Sequence, residues 1–482
     1  MFVRAPALLC FSLALLAGGV VRPLAAAPLA VADESFLDDV QERTFRWFWE
    51  QTNAANGLVP DRAPHPPFSS IAAVGFGLTA YGVGVERGWV SRPEAAARVR
   101  TTLRFLAQAP MGDRPAGVSG HRGFFYHFLT MEAGHRYRTN ELSSIDTALM
   151  MMGVLFCREY FDQPVAEEAE IRNLADHLYR RVEWDWMATR SFWSRRQLMR
   201  MAWRPEAGFS RAAYEGMDEA MFLYLLAIGS PTHPIDPSAW ENFTSTYQWG
   251  TFHGQHYVQF GPLFGYQYAH VWIDPRGLQD AALRPRGIDY FENSRRATLA
   301  NRTHCLANPG NFRDYSGDIW GLSACDGPAN IKRQVGAQVV RFSTYAARGA
   351  SLRGVRDDGT LTPTAAGGSV PFAPEIAIPA LRAMQARYGA LLYNEYGFLD
   401  AFNPTYRAEF GPVQRGVVHP VHGWFDASQL GIDQGPILLM IENHRSGLIW
   451  QVMRRNPYLT RALALAGFTA GWLEGAVAAG GE

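Results

Sequence analysis

Carboxyl groups at the start of a strongly apolar segment are the first side chains in this sequence that suggest chemistry. In YEGMDEAMFLYLLAIG (214–229), Glu219 directly precedes the apolar run, with Glu215 and Asp218 just before it. A carboxyl group in apolar surroundings is desolvated, which raises its pKa and suits a general acid at neutral pH. A helix cap would also place acids here, and Glu215 and Asp218 suffice for that purpose. The residues alone leave both interpretations of Glu219 open.

Two aspartates in the last third of the chain are candidates for a general base. Asp433 lies in GIDQGPILLMIEN, where Pro436 falls in the first turn of an apolar helix. We interpret Asp433 as the N-cap of this helix, which would stabilise its ionised form. Asp400 lies in YGFLDAFNP, and an acid in an aromatic loop suggests a sugar site. An Asx-type turn is the alternative explanation for Asp400.

Aromatic and polar loop residues supply candidates for the walls of such a site. The segments HVWIDPRG and SGDIWGLSACDGP combine Trp, Asp and Gly, and apolar sugar faces pack on aromatic rings. Two carboxylates on opposite sides of a sugar are the minimum for glycoside hydrolysis. Arginine side chains near the cleft would bind hydroxyl groups with their forked donors. The substrate-binding candidates are therefore His270, Trp272, Asp318, Trp320, Arg348 and Trp424.

Composition excludes several other classes of function. The chain has 482 residues and a net charge of zero, which does not favour nucleic acid or an acidic membrane surface. Lys332 is the only lysine, so Schiff-base and Walker-type mechanisms have almost no candidate residue. The segment GFGLTA (75–80) lies inside a helix-like run rather than after a strand, so it predicts close helix packing instead of a dinucleotide site. The His and Cys residues show no metal-ligand spacing, so the residues predict no metal site.

The first 27 residues predict a secretory signal. A basic start, a short apolar run and small residues precede Pro28, and the run is too short for a confident membrane span. We therefore expect a periplasmic or secreted protein without stable membrane insertion. In an oxidising compartment Cys305 and Cys325 could form a disulfide, whereas Cys157 is predicted to be a buried thiol.

The rest of the chain has helical periodicity and no alternating pattern of strands and helices. Segment 332–370 differs, because it alternates and is rich in turn residues, which predicts a small β excursion. No linker divides residues 28–482, so a single, mainly α-helical domain is predicted. The predicted helices are 39–52, 69–89, 91–109, 141–161, 167–182, 216–229, 236–248, 289–307, 374–389, 434–445, 444–455 and 456–473.

Several long motifs resemble those of glycoside hydrolase family 144, bacterial proteins often labelled glucoamylase whose characterised members act on β-1,2-glucan. The motifs include YEGMDEAMFLYLLAIGSPTHP, GPLFGYQYAHVWIDPRG, DIWGLSACDGP and GIDQGPILLMIENHRSGLIW, and the similarity runs roughly over residues 35–475. The resemblance implies an (α/α)6 toroid and an inverting mechanism without metal or cofactor. It implies that Glu219 is the general acid and that Asp400 or Asp433 is the base. It also implies that Asp146, which the spacing from Ser143 explains equally as part of a capping box, lines the cleft.

We therefore expect a hydrolase that cleaves β-1,2-glucan, by endo action or with release of short products such as sophorose, and not starch. One alternative is a polysaccharide lyase on the same toroid, for which His270, Asn301 and Arg302 offer a base and a neutralising group. The other alternative is a periplasmic protein that binds glucan without cleaving it.

Overall fold

The computed structural model describes residues 31–64, 66–189 and 196–474. The predicted signal, residues 1–27, lies outside the described residues. The α-helices of the described chain are α1 Val31–Gln51, α2 Ile71–Glu86, α3 Arg92–Gln108, α4 Ser144–Tyr160, α5 Ala166–Arg180, α6 Trp184–Met187, α7 Met221–Gly229, α8 Ser238–Thr244, α9 Tyr268–Trp272, α10 Tyr290–Ala307, α11 Pro363–Gly367, α12 Pro374–Tyr388, α13 Gly431–Arg445, α14 Leu448–Met453 and α15 Pro457–Leu465.

The strands of the described residues are short and pair only in antiparallel fashion. They form two- and three-stranded pieces rather than one large sheet. In chain order they are β1 Arg62–Ala63, β2 Ser69–Ser70, β3 Gly120–His121, β4 Phe124–Phe125, β5 Phe128–Leu129, β6 Leu142–Ser143, β7 Ala202–Arg204, β8 Gly208–Phe209, β9 Trp249–Phe252, β10 Gln255–Val258, β11 Ala324–Asp326, β12 Lys332–Val335, β13 Gln338–Arg341, β14 Tyr345–Ala347, β15 Gly349–Ser351, β16 Gly354–Arg356, β17 Tyr393–Asn394, β18 Gly397–Phe398, β19 Phe402–Asn403, β20 Val417–His419, β21 Gly423–Phe425 and β22 Gln429–Leu430.

Several helix starts follow the capping signals of the sequence. Ser91 and Glu94 form a reciprocal capping box at α3, with Pro93 in its first turn. The Ser143 side chain accepts a hydrogen bond from the backbone N–H of Asp146 and so caps α4. These contacts satisfy N–H groups that have no partner within the helix, and each is worth about 0.5–2 kcal/mol.

Helices α2 and α4 pack so closely that their glycines are required. A Cβ atom built on Gly153 would lie 2.1 Å from the carbonyl oxygen of Gly75, and one on Gly75 would lie 2.2 Å from that of Leu149. Both helices are apolar nearly all round and almost entirely buried. The prediction that GFGLTA serves close helix packing is therefore confirmed.

One contiguous hydrophobic cluster runs through the described residues, from Phe36 in α1 to Leu473 near the end of the chain. Cys157, Cys305 and Cys325 are buried within it as free thiols, so the pairing considered for Cys305 and Cys325 is not formed. None of the helices in the described part of the chain combines the length and apolar character needed to cross a membrane.

The β excursion is shorter than predicted. Hairpins β12–β13 and β15–β16 form, and β14 pairs with β11, but regular strand structure ends at Arg356. The turn-rich sequence that follows contains the buried helix α11, which begins at Pro363. Proline at the first position and the small residues after it permit a short helix in a tightly packed environment.

Helix α7 begins later than predicted, and this matters for the site. The chain at Gly216 has φ of 81°, in the left-handed region, so the segment cannot continue as a helix through that residue. Helix α7 therefore starts at Met221 instead of 216. Glu219 consequently lies in the turn before the helix.

Candidate active site

Three of the predicted acids meet in one cavity. The cavity has a volume of about 180 Å³ and is lined by His127, Ile145, Asp146, Leu149, Glu219, Phe264, Tyr268, Ala324, Tyr345, Ile432 and Asp433. A larger cavity of about 380 Å³ lies elsewhere, between Glu86 and Arg455, and none of the predicted acids lines it. The convergence of Asp146, Glu219 and Asp433 identifies the smaller cavity as the candidate active site.

The starts of three buried helices place these acids. Asp146 is in the first turn of α4, Glu219 is just before α7, and Asp433 is in the first turn of α13. Helix N-termini favour negative charge by about 0.3–1 kcal/mol. The three carboxyl groups, far apart in sequence, therefore reach the cavity from the same end of their helices.

Glu219 has the surroundings expected of a general acid. Protein atoms surround its carboxyl group, and burial raises its pKa to about 7. The negative charge of Asp146 raises the pKa of Glu219 further, while a backbone hydrogen bond opposes the shift. A substantial fraction of Glu219 is therefore protonated near neutral pH, so its carboxyl group can donate a proton.

The two acids beside Glu219 differ from their predicted roles. Helix α7 has no side-chain cap. Asp218 accepts a hydrogen bond of 2.8 Å from the backbone N–H of Ala220, which holds the turn rather than the helix. Glu215 lies at the surface, 2.6 Å from Arg196. The prediction that Glu215 helps to cap α7 is wrong, because Gly216 turns the chain away before the helix begins.

Asp433 also lines the cavity and is almost fully buried. Its predicted role as N-cap is wrong, because Leu430 occupies that position and Pro436 lies inside the helix. Burial raises the pKa of Asp433 to about 7, against a hydrogen bond from Asp400 that lowers it. The hydrogen bond from Asp400, rather than capping, therefore partly offsets the effect of burial on the ionised form.

Asp400 lies behind Asp433 and is not among the residues that line the cavity. Its Oδ2 atom accepts a hydrogen bond of 2.8 Å from the backbone N–H of Asp326, a residue distant in sequence, rather than from its own loop. An Asx-type turn is therefore not its role. Carboxylate oxygens of Asp326, Asp400 and Asp426 lie within 4.8 Å of one another. The Arg62 guanidinium bonds Asp326 at 2.5 Å, so the cluster already has a positive charge beside it. We therefore do not assign these three carboxylates as metal ligands.

Asp146 is held by two neighbours at once. Its carboxylate accepts a hydrogen bond from the Ser143 hydroxyl. On the other side the His127 Nε2 atom lies 3.6 Å from Asp146 Oδ1, and His127 Nδ1 lies 2.9 Å from Glu141 Oε1. Burial lowers the pKa of His127, but Asp146 and Glu141 outweigh this effect and raise it to about 9. His127 is therefore a cation in the cavity wall at neutral pH.

The prediction missed His127, Tyr268 and Tyr345. His127 interrupts the aromatic run FFYHFL. A polar residue in such a run is the sequence feature that could have indicated a site residue. Tyr345 on β14 is 58% exposed and also lines a second cavity of about 180 Å³. Arg62, Asp326, Gln414 and Arg415 contribute to that second cavity. Tyr345 therefore lines both cavities.

Three aromatic candidates for substrate binding belong to the hydrophobic core. Trp272, Trp320 and Trp424 are fully buried. The indole N–H of Trp272 donates to Thr79 Oγ1 at 2.9 Å, and that of Trp424 donates to the Arg415 carbonyl at 2.7 Å. They do not line the cavity, because packing in a large apolar core takes up tryptophans from loops as readily as a sugar site does.

The remaining substrate-binding candidates also lie away from the cavity. Arg348 is fully buried and pairs with Asp358 at 2.7 Å, which accounts for its charge. His270 is buried, and burial lowers its pKa to about 4. Asp318 lies on an exposed turn, where its backbone N–H donates to Ser316. None of these three residues lines the cavity, and Asp146 is the predicted substrate contact that does.

The comparison with known families identifies the chain. Residues 212–457, just over half of the chain, match the family described as "Glycoamylase: Putative glucoamylase". The chain belongs to this family. It is similar to a structure from Bacteroides uniformis described as a putative glucoamylase, with 30% identity and a TM-score of 0.76 over 92% of this chain and 100% of the other.

Two further relatives carry functional names. An endo-β-1,2-glucanase from Chitinophaga pinensis, solved with sophorotriose and glucose, shares 27% identity and a TM-score of 0.77 over 92% of this chain and 100% of its own. An exo β-1,2-glucooligosaccharide sophorohydrolase (non-reducing end) from Parabacteroides distasonis is 28% identical over 474 residues, which is 92% of this chain. The chain spans 59% of the length of that relative.

Proposed function

We propose that this family member is an inverting glycoside hydrolase that cleaves β-1,2-glucan, by endo action or with release of short oligosaccharides such as sophorose. The observation that carries the proposal is that Glu219 and Asp433 line one cavity, each with a pKa near 7. The names of the relatives from Chitinophaga pinensis and Parabacteroides distasonis support the β-1,2 linkage.

In the proposed mechanism Glu219 protonates the glycosidic oxygen while the bond from that oxygen to the anomeric carbon breaks. A water molecule attacks the anomeric carbon from the opposite face and passes its proton to Asp433, directly or through a relay. Inverting enzymes keep their two carboxyl groups about 6.5–9.5 Å apart to leave room for this water. Reaction on the opposite face inverts the anomeric configuration.

The walls of the cavity suit a sugar. Phe264, Tyr268 and Tyr345 supply aromatic surface for the apolar faces of the rings. Asp146, which lies 3.6 Å from His127, offers an acceptor for hydroxyl groups. The neighbouring cavity beyond Tyr345, with Arg62 and Arg415, gives room for a further unit of the glucan chain.

We further propose that the helices form the (α/α)6 toroid. Helix α13 packs on α2, α2 on α4, and α4 on α7, which is the expected order within an inner ring, and α11 packs on α13. Helices α1, α3 and α5 pack outside these, as an outer ring would. The site then lies at the end of the ring where the inner helices begin, as inward-facing helix N-termini favour.

The alternatives receive less support from the site. A lyase on this toroid would need His270, Asn301 and Arg302, but His270 is buried and both polar ends of Asn301 bond the backbone of Leu322. Arg302 donates to the Gly317 carbonyl. A protein that only binds glucan would not need two carboxyl groups with raised pKa values in its cavity.

Incubation of residues 28–482 with a panel of glucans tests the proposal, with products separated by chromatography and their anomers followed by NMR. We expect cleavage of β-1,2-glucan with α-anomeric products, and no cleavage of starch. Cleavage of starch alone would overturn the substrate assignment. An unsaturated product with ultraviolet absorbance would indicate a lyase, and binding without new reducing ends would indicate a binding protein.

A further inference from the structure

The carboxyl groups of Asp400 and Asp433 each have one oxygen without a hydrogen-bond donor. Asp400 Oδ1 and Asp433 Oδ1 are both buried without a hydrogen-bond donor among the described residues. The residues are 2% and 3% exposed, respectively, so bulk water does not supply the donors. A buried acceptor without a donor destabilises the folded state, and more so when the acceptor is charged.

The two carboxyl groups are also in hydrogen-bonding contact with each other. Two ionised carboxylates in contact within a protein interior repel strongly, whereas one proton between them removes the repulsion and satisfies both oxygens. A single shared proton is therefore the arrangement that fits the contact.

The surroundings decide which partner holds the proton. Asp400 faces Asp326 on β11 and Asp426 beyond β21 in addition to Asp433, and the Arg62 guanidinium bonds Asp326 and Asp61 instead of Asp400. The remaining titratable groups near Asp400 are Cys325, Tyr268 and Tyr345. Burial and the charges of Asp433 and Asp326 raise the pKa of Asp400 well above its ordinary range. Asp433, in contrast, lines the cavity and receives the hydrogen bond.

We propose that Asp400 is a positioning residue that stays protonated at neutral pH and donates a hydrogen bond to Asp433, so that Asp433 is the carboxylate that faces the substrate. The Asp326 N–H fixes the other oxygen of Asp400, which orients its O–H group towards Asp433. The inference rests on the proposed function only in assigning Asp433 as the base, because the proton itself can be detected without turnover.

Asp400→Asn and Asp400→Ala form a matched pair for the test. The amide oxygen of Asn can accept from the Asp326 N–H while its NH₂ group donates to Asp433, so the neutral donor is kept. We expect Asp400→Asn to keep turnover of β-1,2-glucan within about threefold, because it replaces one neutral donor with another. We expect Asp400→Ala to lower kcat by at least about tenfold and to move the acid limb of the pH profile upward, because Asp433 loses its donor.

If Asp400 were instead ionised, as the base itself or as a partner of a bound cation, Asp400→Asn would lose about 10²–10⁴-fold in rate, as Asp433→Asn is expected to do.

Thermal unfolding gives a second comparison that does not depend on activity. A carboxyl group with a raised pKa in the folded state loses stabilisation as pH rises above its unfolded value of about 3.9. The melting temperature of Asp400→Asn relative to wild type should therefore increase from about pH 4 to about pH 7. A relative decrease over this range would overturn the proposal.

Infrared spectroscopy of protein with carbon-13 in its aspartate carboxyl groups detects the proton without turnover. A band from protonated aspartic acid at neutral pH is expected in the wild type. It should be lost or weakened in Asp400→Asn and should persist in Asp433→Asn, and a band of unchanged intensity in Asp400→Asn would contradict the proposal. Absence of the band from the wild type would overturn the proposal. If wild type fails to cleave β-1,2-glucan, the proposed function fails, and the unfolding and infrared measurements still decide whether Asp400 holds the proton.

Discussion

At the scale of single residues, the surroundings of each carboxyl group decide its chemistry. Glu215 and Glu219 are four residues apart, yet one pairs with Arg196 at the surface and the other lies against the cavity with a pKa of about 7. Asp433 has a similar pKa, and burial is again the largest cause of its shift. Because the groups interact through the site, the apparent pKa values seen in kinetics belong to the set rather than to one residue.

The pH profile provides a test of these surroundings. Asp433 must be ionised and Glu219 protonated, so kcat/KM should fall on both sides of neutral pH. The negative charge of Asp146 raises the pKa of Glu219. Asp146→Asn should therefore move the alkaline limb to lower pH, by about 0.5–1 unit. The measurement is kcat/KM against pH, with Glu215→Gln as a control that leaves the limb in place, and an unchanged or raised limb in Asp146→Asn would refute the assignment.

At the scale of elements, several helix starts were predictable because capping is a local signal, although α1 begins at Val31 instead of 39 and α15 ends at Leu465 instead of 473. Ser91 with Glu94, and Ser143, mark helix starts within a residue or two of those observed. The start of α7 was missed because Gly216 adopts the left-handed conformation, which depends on how the loop packs. The short buried helix α11 was missed because its residues are also typical of turns.

The close contact between α2 and α4 gives a prediction about stability. A methyl group on Gly153 would meet the Gly75 carbonyl oxygen at 2.1 Å, a backbone atom that cannot move aside. Gly153→Ala should therefore destabilise the protein by about 1–3 kcal/mol or more, as overpacking does. Thermal unfolding measures this, and Gly471→Ala, where no atom lies within 4 Å of the new methyl, is the control. Equal melting temperatures for the two variants would contradict the packing described.

Strand β14 gives a prediction about substrate binding. Tyr345 lines both cavities and is 58% exposed, so its ring is available to a sugar and contributes little to the core. Tyr345→Ala should raise KM for β-1,2-glucan about 3- to 10-fold with a smaller effect on stability. Val339→Ala, at a residue on β13 that is 66% exposed and lines neither cavity, is the control. Equal KM values for wild type and Tyr345→Ala would exclude the Tyr345 ring as a sugar contact.

At the scale of the whole molecule, the helical class and three members of the site were predictable, and most of the site wall was not. Asp146, Glu219 and Asp433 stand out because each precedes or begins an apolar helix, a pattern visible in sequence. Composition does not show whether a tryptophan faces a cleft or the core, and the structure places Trp272 and Trp424 in the core. His127 and Tyr345 were missed because long-range contacts bring them to the cavity.

Export is the prediction that concerns the whole chain. Residues 1–27 have the basic start, apolar run and small residues of a secretory signal. We expect N-terminal sequencing of protein from its native host to begin near Pro28, with the protein in the periplasm or medium. Recovery of soluble protein that retains Met1 in the cytosol would rule out export by this signal.

The most direct test of the central claim compares turnover and melting temperature for Glu219→Gln and Glu215→Gln on β-1,2-glucan. Glutamine keeps the shape of the side chain but has no carboxyl proton to donate. Glu219→Gln should lower kcat by at least about 10²–10⁴-fold while the protein stays folded. Glu215→Gln, which alters only a surface ion pair with Arg196, should stay near wild type. Near-normal turnover in Glu219→Gln, or a greater loss in a folded Glu215→Gln, would contradict the assignment of Glu219 as the general acid.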